Sequence, residues 1–199
     1  MLTADSDGGS PDEEWEESIR LIKANSRPWN GYWTWADKPV GERGAAEDVL
    51  AAAGLNVVDL RSRPEGQDPP DCEAMIDGKR CGIEVTELVD QKTLERSLKG
   101  QGQHFVCTQE SLLEEIQKRI DRKDQTAKVK GGPYHRYILV IVTDELFLSR
   151  DAVEQFLAGA KFWAGLITDA FLGLSYHPSS APEGGLCPVF RLSLAPRMS

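Results

Sequence analysis

The chain has 199 residues, of which 40% are hydrophobic, and it carries a formal net charge of -9. This length and composition are sufficient for one domain with a substantial core. No apolar run approaches the length needed to cross a bilayer, and the first residues lack the basic and apolar regions of a signal peptide. We therefore expect a cytoplasmic protein with no membrane partner.

Most of the negative charge lies at the start of the chain. Residues 1–17 contain seven acidic residues and no basic residue, which leaves 25 acids against 23 bases for the rest. The acidic total therefore does not exclude nucleic acid as a partner. We predict an acidic arm with a short helix and a Trp-rich segment over 1–38, followed by one domain over 39–199. The aromatic rings of the arm could stack on unpaired bases, clamp the arm to the domain or fill a homodimer interface.

Residues 41–53 predict the first helix, which ends at Gly54. Glu42 falls in the middle of its apolar stripe, so it is either an inward-facing functional acid or a first-turn acid favoured by the helix dipole. Residues 56–63 predict the first strand. Arg61 and Arg63 leave that strand, where they could hold phosphates or remain solvated.

The segment 70–86 predicts a β-hairpin, because Asp77-Gly78 is a strong signal for a two-residue turn between alternating strands. The register that this turn implies puts the apolar side chains on one face and most polar ones on the other. It also sets Asp71 opposite Glu84, and like charges at that spacing destabilise a sheet. A divalent cation between them would satisfy both carboxylates; alternatively, they are two acids on a solvated face.

The ends of this hairpin resemble the motif of the PD-(D/E)xK phosphodiesterase superfamily, the restriction-endonuclease-like nucleases. The residues that carry the resemblance are Pro70, Asp71 and, after a gap of twelve, Glu84, Val85 and Thr86. It implies that Asp71, Glu84 and the carbonyl of Val85 bind Mg²⁺ or Mn²⁺, with Glu42 as a further ligand or water-positioning group. Thr86 stands at the catalytic position where the superfamily has a lysine.

Residues 111–124 predict a second helix, opened by a capping box with Ser111 as the N-cap. Lys123 continues its apolar stripe by one turn, which makes it our candidate for a migrated catalytic lysine unless its stem simply carries the charge into solvent. Lys92 is a second candidate. Residues 118–136 hold seven basic residues against two acidic ones, which could follow a phosphate backbone or form an ordinary solvated surface.

The remaining elements complete the predicted fold. Residues 137–142 predict a buried strand, residues 151–166 a helix, and residues 170–176 and 188–194 two further strands. The order helix, three strands, helix, strand over about 40–145 agrees with the superfamily. We therefore predict an α/β fold with a restriction-endonuclease-like core, a mixed central sheet flanked by helices, and an extra C-terminal helix and strands.

The resemblance implies a metal-dependent nuclease, a hydrolase of phosphodiester bonds with DNA as the expected nucleic acid. The alternative is a catalytically inactive nuclease-fold module that binds nucleic acid or protein, and Thr86 is its best support. The four cysteines show no CxxC spacing, so we expect free thiols.

Overall fold

The structure, a computed structural model, describes residues 37–88, 108–145, 148–175 and 187–197. The predicted acidic arm, its Trp-rich segment and Lys92 lie outside the described residues. No helix within the described ranges is long and apolar enough to cross a membrane.

Helix α1, Lys38–Ala52, starts three residues earlier than predicted because the side chain of Asp37 caps it by accepting a hydrogen bond from the backbone N–H of Val40. It ends before Gly54, which has a φ of 75°. The predicted stripe faces the sheet. Its buried residues are Gly41, Glu42, Ala45, Ala46, Val49 and Leu50.

Within the described residues, the strands form a six-stranded mixed sheet and a two-stranded sheet, so the predicted α/β class with a mixed central sheet is confirmed. The strands are β1 Val57–Ser62, β2 Cys72–Ile76, β3 Lys79–Glu87, β4 Arg136–Thr143, β5 Phe162–Ala164, β6 Asp169–Leu174, β7 Val189–Arg191 and β8 Leu194–Pro196. The large sheet has the order β1-β2-β3-β4-β6-β7. Its three central strands, β3, β4 and β6, are parallel, whereas β1, β2 and β7 join by antiparallel pairing.

The β2–β3 hairpin has the predicted turn and register. Asp77 and Gly78 both have positive φ, 52° and 71°, as a tight two-residue turn requires. Cross-strand partners run from Ile76 with Lys79 to Cys72 with Ile83. The alternative of a solvated polar face is wrong for these acids, because Glu73 and Glu84 are only 4% and 1% exposed.

Helix α2, Gln109–Lys123, begins two residues before the predicted start. Thr108 is the N-cap, and Ser111 is the third helical residue in a reciprocal capping box with it. The assignment of Ser111 as N-cap was therefore wrong, because the hydroxyl of Thr108 accepts the N–H of Ser111 at 3.2 Å. The helix ends at Lys123, close to the predicted end, with Asp124 as C-cap.

The C-terminal part differs most from prediction. Helix α3, Arg150–Leu157, stops well before residue 166 because the chain turns at Gly159, which has a φ of 74°, and then forms β5. Strand β5 pairs in parallel with β8. The single strand predicted over 188–194 is instead two short strands in different sheets, since β7 joins the large sheet and β8 the small one.

The helices cover both faces of the large sheet. Val49 of α1 lies against Gly173 of β6 on one face. On the other face, α2 packs Leu112, Ile116 and Ile120 into a core that includes alternate residues of β4. On this second face of the hairpin, Glu73 and Glu84 are buried, whereas Arg80 is partly exposed.

Candidate active site

Two carboxylates meet at the open end of the hairpin, as the register predicts. Glu84 belongs to β3, and Asp71 immediately precedes β2. The Oδ2 atom of Asp71 accepts a hydrogen bond from the backbone N–H of Val85 at 2.8 Å, which fixes this carboxylate against β3. The predicted pairing of Asp71 with Glu84 at one site is therefore observed.

Lys123 reaches the same point from the last turn of α2. Its Nζ atom donates a hydrogen bond to Oε2 of Glu84 and lies 3.5 Å from Oδ2 of Asp71. The ammonium thus stands between the two carboxylates, and its charge does not point away into solvent as the alternative supposed. Its catalytic role stays a prediction.

Tyr137 completes the environment of Glu84 and was not identified from the sequence. Its hydroxyl donates a hydrogen bond to Oε1 of Glu84 at 3.0 Å. A buried tyrosine hydroxyl needs an acceptor, but the sequence does not show the parallel register of β3 and β4 that places Glu84 within reach. One carboxylate oxygen of Glu84 therefore accepts from the ammonium of Lys123, and the other accepts from the hydroxyl of Tyr137.

The pKa of the Glu84 carboxyl group lies above its ordinary value. Burial and the charge of Asp71 raise its pKa to about 7, although Lys123 acts in the opposite direction. Burial alone would lower the pKa of Lys123, but the charges of Asp71 and Glu84 outweigh it and raise that pKa. The lysine accordingly remains an ammonium, while a further cation would favour the ionised form of Glu84.

Glu42 lies near the pair from the opposite side of the hairpin end. It is buried in the inner stripe of α1, and Lys38 pairs with it at 3.2 Å. Burial, and then the charge of Asp71, raise its pKa. The inward orientation considered for Glu42 is thus observed, and it adds a third carboxylate to the local electrostatics.

Thr86 lies two residues beyond Glu84, on the same face of β3, and is half-buried. Thr86 carries no charge, and the ammonium beside the two carboxylates belongs to Lys123 of α2. Sequence periodicity found this lysine because it continues the apolar stripe of α2.

The donor set suits a hard divalent cation. Carboxylate oxygens are the ligands that Mg²⁺ and Mn²⁺ prefer, and Mg²⁺ needs only one or two of them when water and substrate complete its shell. The ammonium of Lys123 already occupies a cation position between Asp71 and Glu84. Across the described ranges, three His, Cys, Asp or Glu side chains do not gather into a ready-made metal-binding group.

The chain was compared with models of protein families, with curated proteins and with solved structures, and none of the three comparisons gave a match.

Proposed function

We propose that the chain is a metal-dependent nuclease that hydrolyses phosphodiester bonds of nucleic acid, with DNA as the expected substrate. The observation that carries this proposal is the convergence of Lys123 on Asp71 and Glu84. Two acids and a lysine at one site form the set of residues that the PD-(D/E)xK motif requires. The lysine comes here from α2, whereas the motif has it at the position of Thr86.

The order of elements supports a restriction-endonuclease-like core. Helix α1, strands β1 to β3, helix α2 and strand β4 follow one another in the order that the superfamily uses. The two motif acids lie on the hairpin, and α1 contributes Glu42 nearby. This agreement of order and residue placement is what favours the nuclease over other α/β enzymes.

In the proposed mechanism, Asp71, Glu84 and the carbonyl of Val85 would hold Mg²⁺ or Mn²⁺. The metal would lower the pKa of a water nucleophile and stabilise charge on the phosphate. Glu42 orients the water or completes the set of ligands. Lys123 moves from the carboxylates toward the phosphate, where its ammonium stabilises the charge that develops during attack.

The direct test is cleavage of labelled DNA and RNA, each single-stranded and duplex, with Mg²⁺ or Mn²⁺. We expect Asp71→Asn and Glu84→Gln each to reduce the rate by about 100-fold or more, since each removes a charge that acts on the reacting centre. Glu114→Gln is the matched control, because Glu114 is an exposed acid on α2. Wild-type rates in both site variants would refute the assignment.

A second candidate function is favoured by Thr86 and by the pairing of Lys123 with both acids. In this case the fold binds nucleic acid or protein, and the lysine has replaced the metal permanently. Calorimetric titration with Mn²⁺ separates the two functions. The nuclease predicts binding heat that Asp71→Asn abolishes, whereas the inactive module predicts identical titrations for both proteins.

A further inference from the structure

A second charged cluster lies on the same face of the hairpin as the candidate active site. Its centre is Glu73, which is buried. Three arginines surround this carboxylate: Arg63 pairs with Oε1, while Nη2 of Arg80 and Nη2 of Arg61 lie 2.7 and 3.6 Å from Oε2. We call Glu73 and these three residues the arginine cluster.

The arginine cluster holds more positive charge than Glu73 can neutralise. Arg63 is the structural partner, since its side chain is 8% exposed and it also donates to the carbonyl of Gln67. Arg61 and Arg80, in contrast, have side chains that are 73% and 41% exposed. Arg80 donates from Nε and Nη2 to Glu73 and from Nη1 to the carbonyl of Gly131 at 2.7 Å, which leaves one N–H on each Nη atom for a ligand. Arg61 approaches Glu73 through one Nη atom at 3.6 Å, so most of its N–H donors face solvent.

Among the ion pairs of the described residues, Glu73 is the carboxylate that binds these three arginines. Glu65 and Asp68 are exposed in the loop between β1 and β2. The ammonium of Lys130 reaches into that loop, where it donates to the carbonyl of Gly66 at 3.0 Å. The guanidinium of Arg80 is held over the ring of Tyr134, 4.8 Å from its centroid, which fixes the cation in place.

The arginine cluster and the candidate active site are direct neighbours. Gly82 pairs with Glu73 and lies two residues from Glu84 on β3, a separation of about 7 Å along the strand. The rings of Tyr134 and Tyr137 cover Gly82 with centroids 6.1 Å apart. One hydroxyl contacts Glu73 at 3.4 Å and the other contacts Glu84 at 3.0 Å.

We propose that Arg61 and Arg80 form a phosphate subsite, which binds the backbone phosphate next to the one at Asp71 and Glu84. This inference rests on the proposed nuclease function and names how its substrate is held. The exposed guanidinium of Arg61 is suited to the role because its planar fork can donate two hydrogen bonds to one phosphate, and Arg80 adds a fixed positive charge with its remaining N–H donors. The subsite fixes the position of the strand and reads no base sequence.

The test measures binding of fluorescein-labelled DNA by anisotropy over a range of salt concentrations, with EDTA present so that cleavage does not interfere. For the double variant Arg61→Ala/Arg80→Ala we expect weaker binding and a salt slope that is shallower by about one, the value for one lost phosphate contact. The control is Arg150→Ala/Arg197→Ala, which removes two exposed arginines elsewhere and should leave the slope unchanged.

A charge-preserving variant separates phosphate binding from a structural role. Arg61→Lys/Arg80→Lys should keep the salt slope, because an ammonium still neutralises a phosphate as a point charge. Thermal melting of each variant checks that the fold is intact, which we expect because Arg63 continues to pair with Glu73.

Two outcomes would overturn the subsite: a salt slope in the alanine variant equal to that of wild type, or a wild-type protein that does not bind the labelled DNA at low salt. Parallel cleavage assays keep the two proposals apart. Cleavage by wild type together with an unchanged slope would reject the subsite and leave the nuclease standing. A reduced slope without any metal-dependent cleavage would support the phosphate contact at Arg61 and Arg80 and reject the nuclease.

Discussion

At the residue scale, the site is governed by the balance of charge around Glu84. This carboxylate is 1% exposed, and it is held by the ammonium of Lys123 and the hydroxyl of Tyr137. Asp71 adds a second negative charge beside it. One ammonium can neutralise only one of the two carboxylates, and this is the physical reason why we propose a metal ion at the site.

Replacing Lys123 by methionine tests the role of its charge while keeping most of its packing volume. We expect Lys123→Met to slow cleavage by about 100-fold or more, because the charge that develops on the phosphate loses an ammonium partner. The matched control is Lys118→Met on the exposed surface of the same helix, where Lys118 pairs with Glu114 and Glu115. Equal single-turnover rates for the two variants would show that Lys123 has no part in the chemistry.

The raised pKa of Glu84 predicts a particular dependence of stability on pH in metal-free buffer. Its pKa is about 7 in the folded state against an ordinary value of 4.5. The folded state therefore binds this proton more tightly, so its stabilising contribution is complete below pH 4.5 and is lost as the pH rises through 7. The loss is on the order of 3 kcal/mol.

Urea unfolding at a series of pH values measures this contribution in wild type and in Glu84→Gln. As the pH rises across this interval, the unfolding free energy of wild type should fall relative to that of Glu84→Gln. Glu87, whose burial and acidic neighbours also raise its pKa to about 7, is present in both proteins and cancels in the comparison. A difference that does not vary with pH would contradict the burial and charge coupling described for Glu84.

At the scale of elements, the hairpin and α2 were predictable because their signals are local. The Asp77-Gly78 turn sets the register, and the spacing of apolar residues in α2 puts Lys123 on the inner face. Arg61 and Arg63 were considered as phosphate-binding residues, but Tyr137 and the pairing of the arginines with Glu73 were not predicted, since they depend on which strands and loops pack beside the hairpin. Local sequence patterns do not predict contacts between residues that are far apart in the chain.

The early end of α3 was also missed, because the apolar residues after Leu157 continue a helical pattern. The observed structure depends instead on contacts from α2. The side chain of Gln117 exchanges two hydrogen bonds with the backbone of Trp163, and Asp124 accepts backbone N–H groups of Gly165, Leu166 and Ile167. These contacts favour a strand and a turn over further helix.

The fit of the two tyrosines over the hairpin makes Gly82 sensitive to substitution. A Cβ atom at this position would lie 3.1 Å from Pro70, Tyr134 and Tyr137. We expect Gly82→Ala to lower the free energy of unfolding by roughly 1–3 kcal/mol, as overpacking does, and to impair cleavage by displacing Tyr137.

Gly44→Ala is the matched control for that substitution. Gly44 lies inside α1, where an added Cβ atom would meet nothing within 4 Å. The same change should raise the free energy of unfolding by about 1 kcal/mol, because alanine favours a helix more than glycine does. Denaturant unfolding that ranks the two variants in the reverse order would contradict the packing described over the hairpin.

At the scale of the whole molecule, the α/β class and the sequence of elements through β4 followed from periodicity and turn signals. The second sheet of β5 and β8 did not, because three-residue strands are too short to show a period. The site forms where α1, the β2–β3 hairpin and α2 converge. Its acids were found from one motif, and its lysine from the helical stripe of another element.

The most direct test of this account is a crystal structure of the protein soaked in Mn²⁺ and examined by anomalous scattering. We predict a metal peak in contact with both Asp71 and Glu84, with the ammonium of Lys123 displaced from between them. An anomalous map without a peak at these two carboxylates, and with Lys123 still bridging them, would contradict a metal-dependent active site.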